Sequence, residues 1–309
     1  MREVSGPLRG AVLGHPIGHS KSPQLHNAAY AALGIDYAYQ AFDVEVPRLA
    51  AFLAEVRRDG RWYGLSVTMP LKNAAVDLVD ELTPVARALG AVNTIIVTGN
   101  DGVTHLRGDN TDVAGIVNAL LHGGVGDRPR AAILGGGGTA VSAVAALAEL
   151  QATAVEIFVR DPGKAADTLE VARRLGVPAQ LLPFEAAAGA LAGYDVVVST
   201  LPPHGADALA REFSSHPADV SGRCLLDVAY DPWPSALAAA WEGRGGSVVP
   251  GIEMLLYQGV EQVKLFARAG GHQDRLTGRA ADIVNVMCDA LGLARRPLTN
   301  STSRTWQDG

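Results

Sequence analysis

A cluster of short polar side chains and one amine falls at strand ends and loop positions early in this 309-residue chain: Ser20, Ser22, Thr68, Lys72, Asn93, Asp109 and Asp112. Ser20 and Ser22 lie in His19-Ser-Lys-Ser-Pro23, at the start of a predicted helix. Hydroxyls and backbone N–H groups there can bind a carboxylate, and Ser22 can equally act as a plain N-cap. Lys72 follows Ser66-Val-Thr-Met-Pro-Leu71, so it leaves a strand just after a forced break. It is either a proton-exchanging amine or an ordinary exposed cation. Asp112 ends Gly108-Asp-Asn-Thr-Asp112, a run typical of turns and caps, and is either a working carboxylate or the cap of the next helix. Asn93 sits in the apolar run Gly90-Ala-Val-Asn-Thr-Ile-Ile96, where its carboxamide must find partners in the protein or in a ligand.

A second kind of chemistry is written in Ala131-Ala-Ile-Leu-Gly135-Gly-Gly137-Gly-Thr-Ala140, which matches strand–GxGxxA–helix. The first glycine makes the tight turn, and the second lets backbone approach a pyrophosphate. The small third residue lets helix pack on strand, with the diphosphate at the helix amino terminus. The next strand ends at Val159 and Arg160 follows, where an arginine accommodates a ribose 2′-phosphate and an acid would accept a 2′-hydroxyl. Lys164 adds positive charge one turn on and Asp161 opposes it. The pattern points to NADP, with NAD possible.

The elements that must position these residues alternate between period-two and period-3.6 runs, which predicts an α/β protein. Strands are expected at 10–14, 37–42, 63–68, 92–97, 103–106, 131–134, 155–159, 195–199, 224–227 and 247–249. The turn signal Asn100-Asp101-Gly102 joins two of them as a hairpin. Helices are expected after Ser22, over 47–58, 73–82, 84–89, 113–121, 163–175, 235–242, 251–269 and 277–291. Gly123-Gly124 reads as a flexible joint. From these elements alone a first domain is expected to end near Asp112, the strand–helix rhythm restarts from Ala131, and a disordered tail is expected at 293–309.

Composition narrows the class. The chain is 48% hydrophobic with a net charge of −6, enough apolar content for a core and no basic footprint for nucleic acid. Two cysteines, Cys224 and Cys288, make no disulfide scaffold, and no His/Cys spacing suggests a metal. Neither a secretory signal over Met1–Gly10 nor a membrane span is read, so the expectation is a soluble, cytoplasmic globular protein. It would be a monomer or a homodimer.

The motifs HPIGHSKSPQLHN, SVTMPLK, GAVNT, GDNTD, GGGGTA, DVAYDPWPSAL and GIEMLLYQ occur in this order from Gly14 to Gln258. Together the set resembles the shikimate dehydrogenase family, with SVTMP and YDPWP most similar to actinobacterial-type members. The resemblance implies reversible NADPH-dependent reduction of 3-dehydroshikimate to shikimate, in aromatic amino acid and chorismate biosynthesis. It also implies a split substrate-binding domain over 1–112 and 250–292, with a mixed, mostly parallel sheet, and an inserted Rossmann-type domain at 113–249. It implies Lys72 and Asp112 as the catalytic pair, with Ser20 and Ser22 on the substrate carboxylate. Thr68, Asn93, Asp112 and Gln258 would grip ring hydroxyls, with Tyr230 nearby. Gly135, Gly137, Gly138 and Thr139 would line the cofactor phosphates, Arg160 and Lys164 the adenosine side. Thr200, Gly251 and Met254 would complete the cofactor site.

Four positions depart from the family pattern. Ser66 stands where the family often has asparagine, which weakens one possible polar contact with substrate. Val159-Arg160-Asp161-Pro162-Gly163-Lys164 keeps the arginine of the adenosine-side motif but has an acid at its threonine position. Ser199-Thr200-Leu201 replaces the usual Asn-Ala-Thr/Ser. Ser22 keeps serine where quinate-oxidising relatives can have threonine, which favours shikimate over quinate. An NAD-using quinate/shikimate dehydrogenase and a non-catalytic dinucleotide-binding relative are the competing readings.

Overall fold

Apolar runs that end in glycine or proline alternate with helical runs, each long enough to bury one face against its neighbours. In the computed structural model, residues 6–100 and 103–296 are described. The chain divides into two units, one of residues up to Thr111 and from Leu256 onward, the other Asp112–Leu255.

The first unit runs β1 (Leu8–Gly14), α1 (Ser22–Leu33), β2 (Tyr37–Asp43), α2 (Val46–Arg58), β3 (Trp62–Val67), β4 (Glu81–Leu82), α3 (Pro84–Leu89), β5 (Thr94–Asn100) and β6 (Val103–Asp109). Its six strands lie in the order β2-β1-β3-β5-β6-β4. β1 pairs in parallel with β2 and β3, and β5 runs antiparallel to β3 and β6, so the sheet is mixed. Side chains alternate across it as pleating requires. Ala11 and Leu13 of β1 enter a core with Leu49 and Leu53 of α2, while Val12 enters the core on the other face. That second core is filled by α1 and by helices from the end of the chain, through Leu25, Tyr30, Leu256, Val260, Val263, Phe266 and Met287. Each such fully buried apolar side chain contributes about 1.5–3 kcal/mol over leaving it in water.

The second unit opens with α4 (Asp112–His122) and continues β7 (Arg130–Leu134), α5 (Gly138–Glu149), β8 (Ala154–Val159), α6 (Ala166–Arg174), β9 (Ala179–Pro183), α7 (Ala187–Ala190), β10 (Val196–Ser199), α8 (Asp207–Ser215), β11 (Cys224–Asp227), α9 (Ala236–Glu242) and β12 (Ser247–Pro250). Its strands lie β12-β11-β10-β7-β8-β9, all parallel. This is the doubly wound dinucleotide-binding order, reversing between β7 and β10. The long helix α10 (Gly251–Ala269) starts in this unit and from Leu256 belongs to the first, followed by α11 (Gln273–Leu276) and α12 (Ala280–Leu291).

Several local expectations change. Leu25 N–H donates to the Lys21 carbonyl at 3.2 Å, so Lys21 is the N-cap of α1 and Ser22 its first residue. The predicted helix over 73–82 is instead a run of tight turns with one 3₁₀ turn at Val76–Leu78, followed by β4. Tertiary contacts decide this: Asp80 is clamped by Arg57 and by Leu106 N–H, which draws Glu81 and Leu82 alongside β6. The predicted helix over 163–175 begins as a 3₁₀ turn, Pro162–Ala165, before α6. Asn93 lies just before β5 rather than inside it. Gly123-Gly124 closes α4 within the second unit and joins no domains, with Gly124 in the left-handed region. Strand β9, flanked by Pro178 and ending at Pro183, lies where no strand is expected. Asp101 and Gly102 of the predicted hairpin turn, residues 297–309 of the predicted tail and the first five residues lie outside the described residues.

Candidate active site

The polar residues of the first unit gather where β1 and β3 end, because these parallel neighbours stop together, Leu13 opposite Val67. Thr68 N–H donates to the Leu13 carbonyl at 2.9 Å and His15 N–H to the Met69 carbonyl at 3.0 Å, stitching the two loops. Asp43 holds the first loop from below, through His15 Nδ1 at 2.6 Å and Ile17 N–H at 3.4 Å. The Asp43 hydrogen bond raises the His15 pKa above its ordinary value. In this loop Ser20 Oγ accepts from Ser22 N–H at 3.4 Å. Because Lys21 takes the capping position, the buried Ser22 hydroxyl is not used as a cap, and it has no hydrogen-bond partner among the described residues.

The turn that carries Thr68 and Lys72 is fastened to the segment before β5. Val92 N–H donates to the Lys72 carbonyl at 2.9 Å, and Val67 N–H to the Asn93 carbonyl at 2.7 Å. Asn93 N–H in turn donates to the Asp109 carbonyl at 3.1 Å. Lys72 is half-buried, and Asp112 is buried as the first residue of α4, where a carboxylate favours the helix dipole. Lys72 falls in the first unit and Asp112 in the second. Asp109 plays a structural part, its carboxylate accepting from the hydroxyl of Thr83, which caps α3.

Asn93 is 2% exposed and Gln258 8%. The Asn93 Oδ1 accepts from Thr111 N–H at 2.8 Å and from the Thr94 hydroxyl at 2.7 Å. Its Nδ2 donates to Thr111 Oγ1 at 3.0 Å and reaches Gln258 Oε1 at 3.5 Å. So the structure brings together Ser20 with Ser22, the Thr68–Lys72 turn with Asn93, and Asn93 with Gln258. Sequence reasoning missed the side chains behind them: Thr94, Thr111, Gln262, His26 and Tyr39. One signal was available, the carboxamides Gln258 and Gln262 one turn apart on the apolar face of α10, where each needs a partner.

In the second unit the glycine turn between β7 and α5 has three different reasons for three glycines. Gly135 has φ +106°, and a β-carbon there would also meet Thr200 Oγ1 at 2.6 Å. A β-carbon on Gly136 would strike Ala165 Cβ at 2.5 Å, so this glycine packs the turn onto the loop after β8. A β-carbon on Gly137 would meet nothing within 4 Å. Gly137 is the N-cap of α5 and no side chain caps that helix, so the amides of its first turn, from Gly138 and Thr139, face an open approach. Uncapped amides beside an unfilled glycine face fit a diphosphate.

Around this cradle, Thr200 Oγ1 donates to the Leu134 carbonyl at 2.9 Å. Gly251 opens α10 where a β-carbon would collide with the Val228 carbonyl, and Met254 is buried one turn on. Tyr230 is half-buried, with burial raising its hydroxyl pKa. The exposed Arg160 guanidinium stacks 4.8 Å from the Phe184 ring and donates to the Gly205 carbonyl at 2.7 Å. Lys164 extends into solvent, 3.9 Å from the Asp161 carboxylate. Among the described residues no group of three or more His, Cys, Asp or Glu could hold a metal ion, and no helix is long and apolar enough to cross a membrane.

A parallel sheet of this order with a glycine cradle after its first strand, in one chain with a mixed-sheet unit bearing serine, lysine and carboxamide side chains, defines a two-unit nucleotide-linked oxidoreductase fold. Residues 12–95 match the family model described as the shikimate dehydrogenase substrate binding domain. The shikimate dehydrogenase (NADP(+)) of Rubrobacter xylanophilus is 40% identical over 256 residues, covering 81% of this chain and 87% of that one. The crystal structure of Mycobacterium tuberculosis shikimate dehydrogenase matches with a TM-score of 0.77 and 38% identity, over 93% of this chain and 99% of that one. The shikimate 5-dehydrogenase of Thermus thermophilus, in complex with NADP(H) and shikimate, matches with a TM-score of 0.69 and 31% identity, over 89% and 99%. The chain belongs to the shikimate dehydrogenase family.

Proposed function

We propose that the chain catalyses the reversible, NADPH-dependent reduction of 3-dehydroshikimate to shikimate, on the route to chorismate and the aromatic amino acids. The observation that carries this reading is the fastening of Asn93 between Gln258 and the Thr68–Lys72 turn. It ties the Asn93 segment, and through it the Gln258 carboxamide, to the turn that carries Thr68 and Lys72, a set of residue types suited to a polyhydroxylated ring. Ser20 and Ser22 hold the carboxylate, with the Ser22 hydroxyl turned away from any capping duty. Thr68, Asn93 and Gln258 take the ring hydroxyls, with Tyr230 nearby.

Gly135, Gly137, Gly138 and Thr139 hold the dinucleotide phosphates, Arg160 and Lys164 the 2′-phosphate, and Thr200, Gly251 and Met254 the nicotinamide end. When bound, NADPH supplies the hydride. Lys72 exchanges the proton at the carbonyl or hydroxyl oxygen of the substrate, with Asp112 as the second catalytic residue. The reaction partners are small molecules, and the enzyme acts in the cytoplasm as a monomer or a homodimer.

Steady-state rates for shikimate and quinate, each with NADP and NAD, test the reading. Shikimate with NADP should give the highest kcat/KM. A higher value for quinate with NAD would replace this activity with a catabolic one, and dinucleotide binding without any turnover would make the chain a binding protein.

A further inference from the structure

Behind the carboxamide of Asn93 the first unit holds a line of buried polar side chains that touch no surface. Gln262 is 1% exposed and Ser66 5%, and Gln262 sits on α10 one helical turn after Gln258. Their hydrogen-bond directions can be fixed without ambiguity. The Asn93 backbone carbonyl can only accept, so the group 3.2 Å away is Gln262 Nε2, which also donates to Thr94 Oγ1 at 2.8 Å. Gln262 Oε1 therefore faces the other way and accepts, from Ser66 Oγ at 2.7 Å and from His26 Nε2 at 3.2 Å. Having given its hydrogen to Gln262, Ser66 accepts from the Tyr39 hydroxyl at 2.5 Å. Having accepted from Gln262, Thr94 gives its own hydrogen to Asn93 Oδ1 at 2.7 Å. Every hydroxyl and amide in the line Tyr39–Ser66–Gln262–Thr94–Asn93 donates in the same sense, an arrangement in which each bond polarises the next.

We propose that Gln262, locked by Ser66, is a positioning residue for substrate recognition, setting which way the Asn93 carboxamide faces. The proposal rests on the shikimate dehydrogenase reading of this site. Asn93 Oδ1 is held by the Thr94 hydroxyl on one side and Thr111 N–H on the other, so its Nδ2 must point toward Thr111 Oγ1 and Gln258 Oε1. Gln258 Oε1 then accepts from Asn93, which fixes the end of the Gln258 carboxamide that meets it. The Asn93 carboxamide is thereby held at both ends, its orientation fixed before any substrate arrives. The unexpected serine at position 66 finds its reason here. It makes no provision for substrate and instead braces the Gln262 side chain that α10 brings in from 196 positions away.

The test compares Gln262→Met, Thr94→Val and their double variant with the wild-type enzyme, measuring KM for shikimate, KM for NADP, kcat and thermal midpoint. Loss of one net buried hydrogen bond in the positioning line corresponds to about a tenfold rise in KM for shikimate. KM for NADP should stay within about twofold, and kcat should fall less than KM rises. The double variant should cost no more than the worse single, because both cut one line. Unchanged KM for shikimate in both variants, additive losses, or equal losses for shikimate and NADP would overturn the proposal. Should Gln262→Met not fold, Thr94→Val and Ser66→Ala each remove a single hydroxyl and carry the same expectation. A wild-type chain that does not oxidise shikimate would instead overturn the functional reading on which the proposal stands.

Discussion

The Asp161 carboxylate accepts a hydrogen bond from Gly163 N–H at 2.9 Å, capping the 3₁₀ turn that follows β8. An acid beside Arg160 is an obstacle to phosphate when only its charge is considered. Folded, it is occupied by the backbone of its own loop, while Arg160 is steadied by the Phe184 ring and the Gly205 carbonyl. Arg160→Ala should therefore raise KM for NADP roughly 10- to 100-fold, the range for one charged hydrogen bond, and leave KM for NAD within about threefold. Equal losses for the two cofactors would remove Arg160 from the 2′-phosphate site.

Adjacent glycines of the cradle should separate stability from binding. Gly136→Ala drives a methyl into Ala165 and should lower the thermal midpoint by several degrees, consistent with the roughly 1–3 kcal/mol cost of overpacking. Gly137→Ala meets open space and should leave the midpoint nearly unchanged while weakening NADP binding about tenfold or more. Fluorescence titration with NADPH, alongside thermal melts, reads both. A Gly137→Ala protein with wild-type NADPH affinity would mean that the phosphates do not lie against that face.

Lys72→Ala should lose roughly 10²–10⁴-fold in kcat, the range for general acid–base catalysis, while NADPH still binds. Because the Lys72 backbone carbonyl already anchors Val92, truncating the side chain spares the turn, and the variant should fold. Turnover within about threefold of wild type would take the proton-transfer role away from this amine.

His26 offers a pH test of the core. It is stacked 4.1 Å from the Tyr39 ring, and burial lowers its pKa to about 3 from 6.5. Between those values the unfolded chain binds a proton that the folded one refuses. Its contribution is full above about pH 6.5 and is lost as pH falls toward 3, at up to about 1.4 kcal/mol per unit. The buried Asp227, whose pKa burial raises, pulls the opposite way at the acid end. The comparison is therefore between wild type and His26→Phe, by denaturant unfolding at pH 7, 6 and 5. Wild-type stability should fall more steeply on acidification, and parallel curves would show that His26 titrates normally.

The second sheet was open to reading because its determinants are contiguous. Except for β9, which ends in proline and lies where no strand is expected, each strand from β7 to β12 contains a short apolar run, and turn, glycines and helix of the cradle are neighbours in sequence. The first unit was harder. Residues 73–82 carry Ala74, Ala75, Val76, Leu78 and Val79 at spacings that suit a helix, and only Arg57 and Leu106, from other elements, pull Asp80 and the following pair into the sheet. Residue types at the candidate site were visible as polar interruptions of apolar runs, but their orientation was not. What turns Asn93 is Thr94 beside it, Thr111 and, through Gln262, Ser66, and no local pattern links positions 66, 93 and 262. Ser22 shows the reverse error, a good capping residue displaced by one position because Lys21 already has near-helical dihedrals.

The two faces of the first sheet are completed at different times during synthesis. The core under α2 draws only on residues between Ala11 and Leu106, so it can close as soon as those have left the ribosome. The opposite core lacks Leu256, Val260, Val263, Phe266, Ile283 and Met287 until the whole intervening unit has been translated, roughly 10–35 s later at ordinary elongation rates. For that interval Leu25, Tyr30 and Tyr63 lack the helices that cover them in the finished fold, so the nascent chain exposes apolar surface of the kind that holdase chaperones shield until its own last helices arrive.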